Sequence, residues 1–440
     1  MSHALTAHRQ TKDPILVGRD ARSRWLPTYW AIEAAFALYG LSWILGLSGV
    51  ALPLLAIPLA VRMLVSGKVR VPRGFGWLVV YIGWVIVSGF NLPHATSLIF
   101  FSWRLANYVS AGVFLLAIYN APIAKLPTER VVRSAAILWV TIVLGGHLAL
   151  RWPQFDFSSP LERLMPAAAK SNDFIFRYLH PAASDIHDFL GFDVARPIAP
   201  FAYTNDWGSN LTMIFPFVLL LATLVAQREV RIAIATMSAL AIPPFVASLN
   251  RMAWFSVVVI AVAIAATATW AERRRQLAAI FATSIAVGLV LAVTPLGDLV
   301  SERLQTGHSD NTRADLIDQA VEATNASPLI GHGGPIPNEL FPLRPHIGTQ
   351  GFMWTAMVSQ GYAGLAIIAM WLLDGLRRAF MARRFPEARA AFVVIVLFLV
   401  QSTTYDLVPV QFHLVAVAIA LERRAAWHRA NDAVVGAHSG

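Results

Sequence analysis

The sequence predicts an all-α polytopic membrane protein of about 12 transmembrane helices, with two large outer-face loops that contain short helices. Three observations predict it. The chain is 57% hydrophobic and only 14% charged over 440 residues, whereas soluble domains carry about 25% charged residues. Apolar runs of bilayer-spanning length recur along almost the whole chain. The Lys and Arg residues fall in clusters between those runs and alternate in density from loop to loop.

Polar, basic residues 1–27 have no apolar core and no Ala-x-Ala site, so they read as a tail without a cleavable signal peptide. Taking apolar runs of about 17–22 residues as spans, the helices fall at 28–47, 50–65, 75–90, 96–119, 131–150, 209–226, 230–249, 252–270, 277–293, 354–373, 388–402 and 407–421. The junctions at 47–50 and 402–407 are short enough for a hairpin or a re-entrant pair. Cytoplasmic loops hold the basic residues of membrane proteins. With the N-terminus inside, 25 of the 35 Lys and Arg residues lie on cytoplasmic segments. Both termini are then cytoplasmic, and the polar loops 151–208 and 297–353 face outward, around a single membrane domain at 28–421 with a tail at 422–440. The small-residue end of that tail, after Asn431, reads as disordered. Trp25, Trp30, Trp152, Trp207, Trp254, Trp270 and Trp354 stand at span ends, as an interfacial belt would.

The net charge of +10 follows topology rather than a basic stripe, which argues against a nucleic-acid partner. With no cysteine, thiolate metal sites and Cys nucleophiles are excluded. His332 and His346 do not have metal-ligand spacing on a helix, so no metal site is expected. No Walker sequence, Gly-x-Ser-x-Gly elbow or other nucleotide loop occurs, so no cofactor is expected either.

The chemistry concentrates in the outer loops. In 297–353, the first half reads as a surface helix, with Thr312 as cap, Asp315 three residues on, and Leu316, Ile317, Ala320, Val321 and Thr324 on one face. Its second half is broken by Pro328, Pro335, Pro337, Pro342 and Pro345. Arg303, Arg313 and Arg344 supply cations there, and His308, His332 and His346 supply groups that titrate near neutrality. Guanidinium forks bind phosphate bidentately and imidazole is the usual general base, so this set suits a phosphate-bearing substrate and a proton transfer. The end of the first loop, 196–210, is a Pro-broken polar run at membrane depth, which needs protein or water around it and so lines a cavity. Arg196 is its anion ligand, while Asn205, Asp206 and Asn210 can cap the next helix, Asp206 above all. Arg251 sits in the shortest outer turn, Ser248-Leu249-Asn250-Arg251, on the face that avoids basic residues. Arg104, inside its span, points to a cavity or a carboxylate. Glu33, at a cytoplasmic helix end, and His147, a hydrogen-bonded helix-end histidine, are weaker candidates.

Four motifs then resemble the O-antigen ligase and polymerase superfamily. They are Arg-x-x-Ala-x-Phe-x-x-x-Asn at Arg196 to Asn205, Ser-x-x-Arg at Ser248 to Arg251, Arg313 followed by Ser327-Pro328-Leu329-Ile330-Gly331-His332-Gly333, and Gly361-Tyr362-Ala363-Gly364 in the following helix. The resemblance covers roughly 196–373 and implies a GT-C-like glycosyltransferase of the plasma membrane, a ligase or polymerase of cell-surface polysaccharide. Such enzymes move a glycan from an undecaprenyl diphosphate carrier to a glycan or lipid acceptor on the outer face, without metal or nucleotide. By this resemblance Arg196 and Arg313 are catalytic, holding the diphosphate; Arg251, Asn205 and Gln350, together with Arg104 and Arg344 from their own positions in the sequence, are expected to bind substrate. The family's proposed base is the histidine of a His-Asn pair about eleven residues before the glycine of the next helix; here that position is Gln350-Gly351. Glutamine is no base at neutral pH, so the role passes to His346. Two other readings fit the same span count: a transporter or flippase of lipid-linked glycans, and a family member that has lost activity through Gln350. A transporter would show repeat symmetry or paired broken helices, and the sequence shows neither.

Overall fold

The computed structural model describes residues 28–92, 94, 97–187, 193–269, 272, 274, 308–338 and 346–438; for 308–313 and 432–438 it describes the backbone only. Its elements run α1 (Trp30–Ala37), α2 (Tyr39–Ile44), α3 (Ala51–Ser66), α4 (Phe75–Ser88), α5 (Ser97–Asn120) and α6 (Thr128–Arg151). Three short helices follow, α7 (Pro160–Leu164), α8 (Ala167–Lys170) and α9 (Asp173–Leu179), then an antiparallel hairpin of β1 (Ser184–His187) and β2 (Val194–Pro197). The second half has α10 (Thr204–Leu224), α11 (Arg228–Leu240), α12 (Ile242–Ala247), α13 (Arg251–Thr267), α14 (His308–Ala326), α15 (Phe352–Met381), α16 (Pro386–Gln401) and α17 (Val410–His438).

The chain is a helical membrane protein with little sheet. Five stretches are long and apolar enough to cross a bilayer among the described residues: α5, α6, α10, α11 with α12, and α15. The expected ninth span, 277–293, lies outside the described residues. Helix α5 packs along α17, α6 along α10, and α15 against α4 and α16, while α16 also meets α10, α13 and α17. Large apolar side chains fill these seams, including Phe114, Phe217, Phe352, Phe398 and Phe412. Burying one such side chain is worth about 2–3 kcal/mol against water. Against lipid the gain comes instead from close packing and from hydrogen bonds between helices.

Several expectations change. The first span is not one rod: α1 and α2 meet at Leu38. The 402–407 junction is a connector of eight residues, 402–409, because α17 starts at Val410. Helix α17 then continues to His438, so the stretch 432–438, expected to be disordered, is helical. Trp207 is fully buried rather than interfacial, its indole N–H donating to the Ile142 carbonyl at 3.0 Å. Thr312 does not cap α14, which already begins at His308; of the expected apolar face Leu316, Ala320 and Thr324 are buried, Ala320 in one cluster with Met357 and Val358 of α15, while Val321 is exposed. Glu33 pairs with Arg130 at 2.6 Å, and His147 Nε2 lies 2.8 Å from the Leu240 carbonyl, at the break between α11 and α12.

Candidate active site

The site is assembled where loops from one end of the bundle converge. Helix α12 ends at Ala247, and Leu249 takes the left-handed conformation, φ 50°, so that the chain reverses into α13 within a few residues. A non-glycine residue there is strained by roughly 1 kcal/mol. Buried packing of Leu249 with Val194 of the hairpin and Trp254 holds it in place. Asn250 caps α13, its Oδ1 accepting from the Ala253 amide at 2.9 Å and from the Tyr405 hydroxyl. The reversal leaves the buried Ser248 carbonyl at the end of α12, and Arg196 of β2 donates to it through Nε at 2.8 Å. Two arginine-bearing motifs, 52 residues apart in sequence, are therefore joined by one hydrogen bond, with Arg251 in the first turn of α13.

The hairpin sets the charge around Arg196. Asp185 stands opposite it in register, and the Asp185 carboxyl also meets His187 at 3.2 Å and Arg177 at 3.6 Å. The His187 hydrogen bond, aided by the Arg177 and Arg196 charges, holds that carboxyl below the usual range. Arg177 also lies over the Tyr203 ring, 5.1 Å from its centroid. Burial pushes the Tyr203 phenol up to about 12, so it stays a neutral hydrogen-bonding group.

Arg104 behaves as expected of a costly intramembrane cation: it is buried in α5, pairs with Asp406 of the 402–409 connector, and donates from Nη1 to the Tyr108 hydroxyl at 3.1 Å. Its charge is balanced by the protein itself. Sequence reasoning missed Asp406, and with it a polar layer just below: Gln401 bonds Ser209, Thr212 at 2.9 Å and Ser256 at 2.8 Å, while Gln411 donates to Asp206 at 3.3 Å. The available signal was the polar content of two apolar spans, since Gln401 and Gln411 need partners at that depth. Asp206 is not a cap. Helix α10 begins at Thr204 after Tyr203, no side chain caps it, and Asp206 is buried in its first turn facing Gln411. Asn205, also in that turn, is exposed.

The segment 327–333 is locked onto a broken helix. Gly361 interrupts α15 with φ 69° and ψ −178°, a conformation open essentially to glycine. The break frees backbone groups that the 327–333 loop then takes. The amides of His332 and Gly333 donate to the carbonyls of Val358 and Ser359 at 3.0 and 2.8 Å, and the Tyr362 amide donates to the Pro328 carbonyl at 2.8 Å. A Cβ on Gly361 would lie 2.5 Å from the Leu329 oxygen, and one on Gly331 would lie 2.5 Å from the Gly361 nitrogen. So the Pro-Leu-Ile-Gly-x-Gly run and the Gly-x-x-Gly helix are two halves of one interlock. His332 belongs to it, its Nε2 lying 2.8 Å from the Ala323 carbonyl.

Gln350 is buried and folds back on its own loop: its Oε1 accepts from the Gly348 amide at 3.1 Å and its Nε2 donates to the His346 carbonyl at 3.2 Å. Gly351 follows because the 402–404 backbone passes too close for a Cβ, the Ser402 oxygen lying 2.6 Å from that position. The first amides of α15, at Phe352 and Met353, donate to the carbonyls of Tyr405 and Ser402 at 2.7 and 3.0 Å. This ties the start of α15 and the loop before it to the connector that carries Asp406. His346 is exposed at the start of that segment. Arg303 and Arg344 lie outside the described residues, as do the side chains of His308 and Arg313.

No curated protein matches the chain. Residues 236–356 match the family model described as O-Antigen ligase. The matched stretch holds the Ser248–Arg251 reversal, α14, the 327–333 half of the glycine interlock, and both His346 and Gln350, and it ends before Gly361. That match, on the segment whose motifs shape this end of the bundle, supports placing the chain in the O-antigen ligase and polymerase superfamily of polysaccharide biosynthesis.

Proposed function

We propose that the chain is a GT-C-like integral-membrane glycosyltransferase, a ligase or polymerase that transfers a glycan from an undecaprenyl diphosphate carrier to a glycan or lipid acceptor. It works on the outer face of the plasma membrane with both termini in the cytoplasm. The observation that carries this reading is the junction of Arg196 with the Ser248 carbonyl, which brings one arginine motif against the turn that presents Arg251. A leaving diphosphate needs several cations in a poorly solvated site. Arg196, Arg251 and Arg313 supply them in this reading, with Arg344 at the rim. Asn205 faces the bound glycan. Arg104 and Gln350 act through position, Arg104 by anchoring the Asp406 connector and Gln350 by shaping the loop that carries His346.

An acceptor hydroxyl attacks the anomeric carbon with inversion as the C–O bond to the diphosphate breaks; His346 takes the hydroxyl proton, and the arginines hold the departing diphosphate. Helix α15, broken at Gly361, is the feature a transporter would share. Its freed groups at Val358, Ser359 and Tyr362 are already bonded to the 327–333 loop, which argues against an ion or substrate path there. Transfer by the purified chain from a synthetic lipid-diphosphate glycan donor to an acceptor glycan tests the proposal. Product formation that falls about 10²–10³-fold in Arg196→Ala, as for a lost transition-state donor, is expected. Donor movement across vesicles without transfer would instead identify a flippase, and neither would identify a family member that has lost activity.

A further inference from the structure

The opposite end of the bundle holds a cavity of about 230 Å³ between α1, α3, the end of α5 and the segment joining α3 to α4. It is remote from every residue of the candidate active site. Three cations line it, Arg62, Lys68 and Arg70, and none of its lining residues is acidic. Among the described residues no carboxylate lies within ion-pair reach of any of the three.

Two of the cations are held in place rather than free to wave in solvent. The Arg70 guanidinium stacks 3.8 Å over the Trp427 ring, and its backbone is clasped by Asn120, whose Oδ1 accepts from the Arg70 amide and whose Nδ2 donates to the Arg70 carbonyl, both at 2.8 Å. The Arg62 guanidinium lies 5.0 Å from the Tyr29 ring centroid. A guanidinium stacked by its face leaves its N–H edge for an oxyanion. Next to the cations the wall is apolar, with Leu59, Met63 and Ala117. At the rim, Val69 of the lining and Val65, three residues along α3 from Arg62, are exposed apolar side chains. Apolar side chains beside the cations suit an acyl chain whose headgroup is in the cavity.

We infer that this cavity binds the phosphate of an anionic phospholipid headgroup. Basic pockets between helices on the Lys- and Arg-rich side of a membrane protein are chemically suited to that ligand. A free phosphate ester would use the same cations but gain nothing from Val65 and Val69. The full-length chain in neutral detergent can be titrated with dioctanoyl phosphatidylglycerol, dioctanoyl phosphatidylcholine and inorganic phosphate, following bound ligand by calorimetry. Phosphatidylglycerol should bind more tightly than the other two. Removing two cations in the Arg62→Gln/Arg70→Gln variant should weaken it about 25-fold, and Arg62→Lys/Arg70→Lys should lose much less. Lys68→Gln, on an exposed side chain, should weaken it about 5-fold and stands in if the double variant does not fold. Equal binding of the two lipids, or unchanged phosphatidylglycerol binding in the folded Gln variants, would overturn the inference. Inorganic phosphate binding as tightly as phosphatidylglycerol would reject the lipid and leave a free phosphate as ligand.

Discussion

Replacing Gly361 with alanine should cost far more than a helical glycine normally does. In the middle of a helix glycine is about 1 kcal/mol less favourable than alanine, so an ordinary Gly→Ala change stabilises. Here φ is 69° with ψ −178°, and a side chain in that region costs of order 1–3 kcal/mol. The new Cβ would also sit 2.5 to 2.6 Å from the Leu329 and Pro328 carbonyl oxygens, which are backbone and cannot swing aside. Relieving that clash means lifting the 327–333 loop, which breaks the three backbone bonds at His332, Gly333 and Tyr362. At about 1 kcal/mol net for each bond, the total comes to roughly 4–6 kcal/mol. Gly67 offers the internal control: it has φ 62° at the end of α3, with nothing within 4 Å of its missing Cβ. Gly67→Ala therefore isolates the conformational cost, about 1–2 kcal/mol. Thermal melting of the purified variants in one detergent should rank wild type above Gly67→Ala, and Gly67→Ala well above Gly361→Ala. Equal melting of the two variants would refute the interlock, since only Gly361 faces the loop backbone.

Three other outcomes are expected. His346→Gln keeps size and hydrogen bonding but cannot accept a full proton, so transfer from a lipid-diphosphate donor should fall about 10²–10⁴-fold with donor binding nearly intact; near-normal turnover would retire His346 as the base. Arg104→Met should destabilise by roughly 3 kcal/mol because it strands Asp406, and adding Asp406→Leu should recover part of that loss, as read from denaturation of the two single variants and the double. For Asp185 the folded carboxyl is depressed chiefly by the His187 hydrogen bond, so its contribution to stability is present above the ordinary carboxylate range and disappears as pH falls through the lowered value. Melting measured from neutral to acid pH should therefore show a stability loss below about pH 4 that Asp185→Asn lacks, and identical acid limbs would count against the pairing.

The helical membrane class and most helix positions were legible because each depends on local composition: an apolar run of bilayer length favours a helix in lipid, and a Pro-broken polar run does not. Arg104 was legible as an inward-pointing cation for the same reason, the cost of its charge at that depth. Its partner was not, because Asp406 lies 302 residues away and only the packing of α5 beside α17 brings them together. Asp206 was misread as a cap since a carboxylate before an apolar run has the same local signature whether it bonds its own helix or, as here, Gln411 of another. The glycine motifs were visible as letters, but what they are for was decided by tertiary structure: Gly331 and Gly361 are far apart in local sequence terms, and the steric need for both arises only where the loop backbone crosses the broken helix. Likewise the meeting of Arg196 with Ser248 depends on Leu249 holding a strained turn against Val194, a contact no residue spacing encodes. Sequence alone thus set which groups had to leave lipid, and the fold set which of them met.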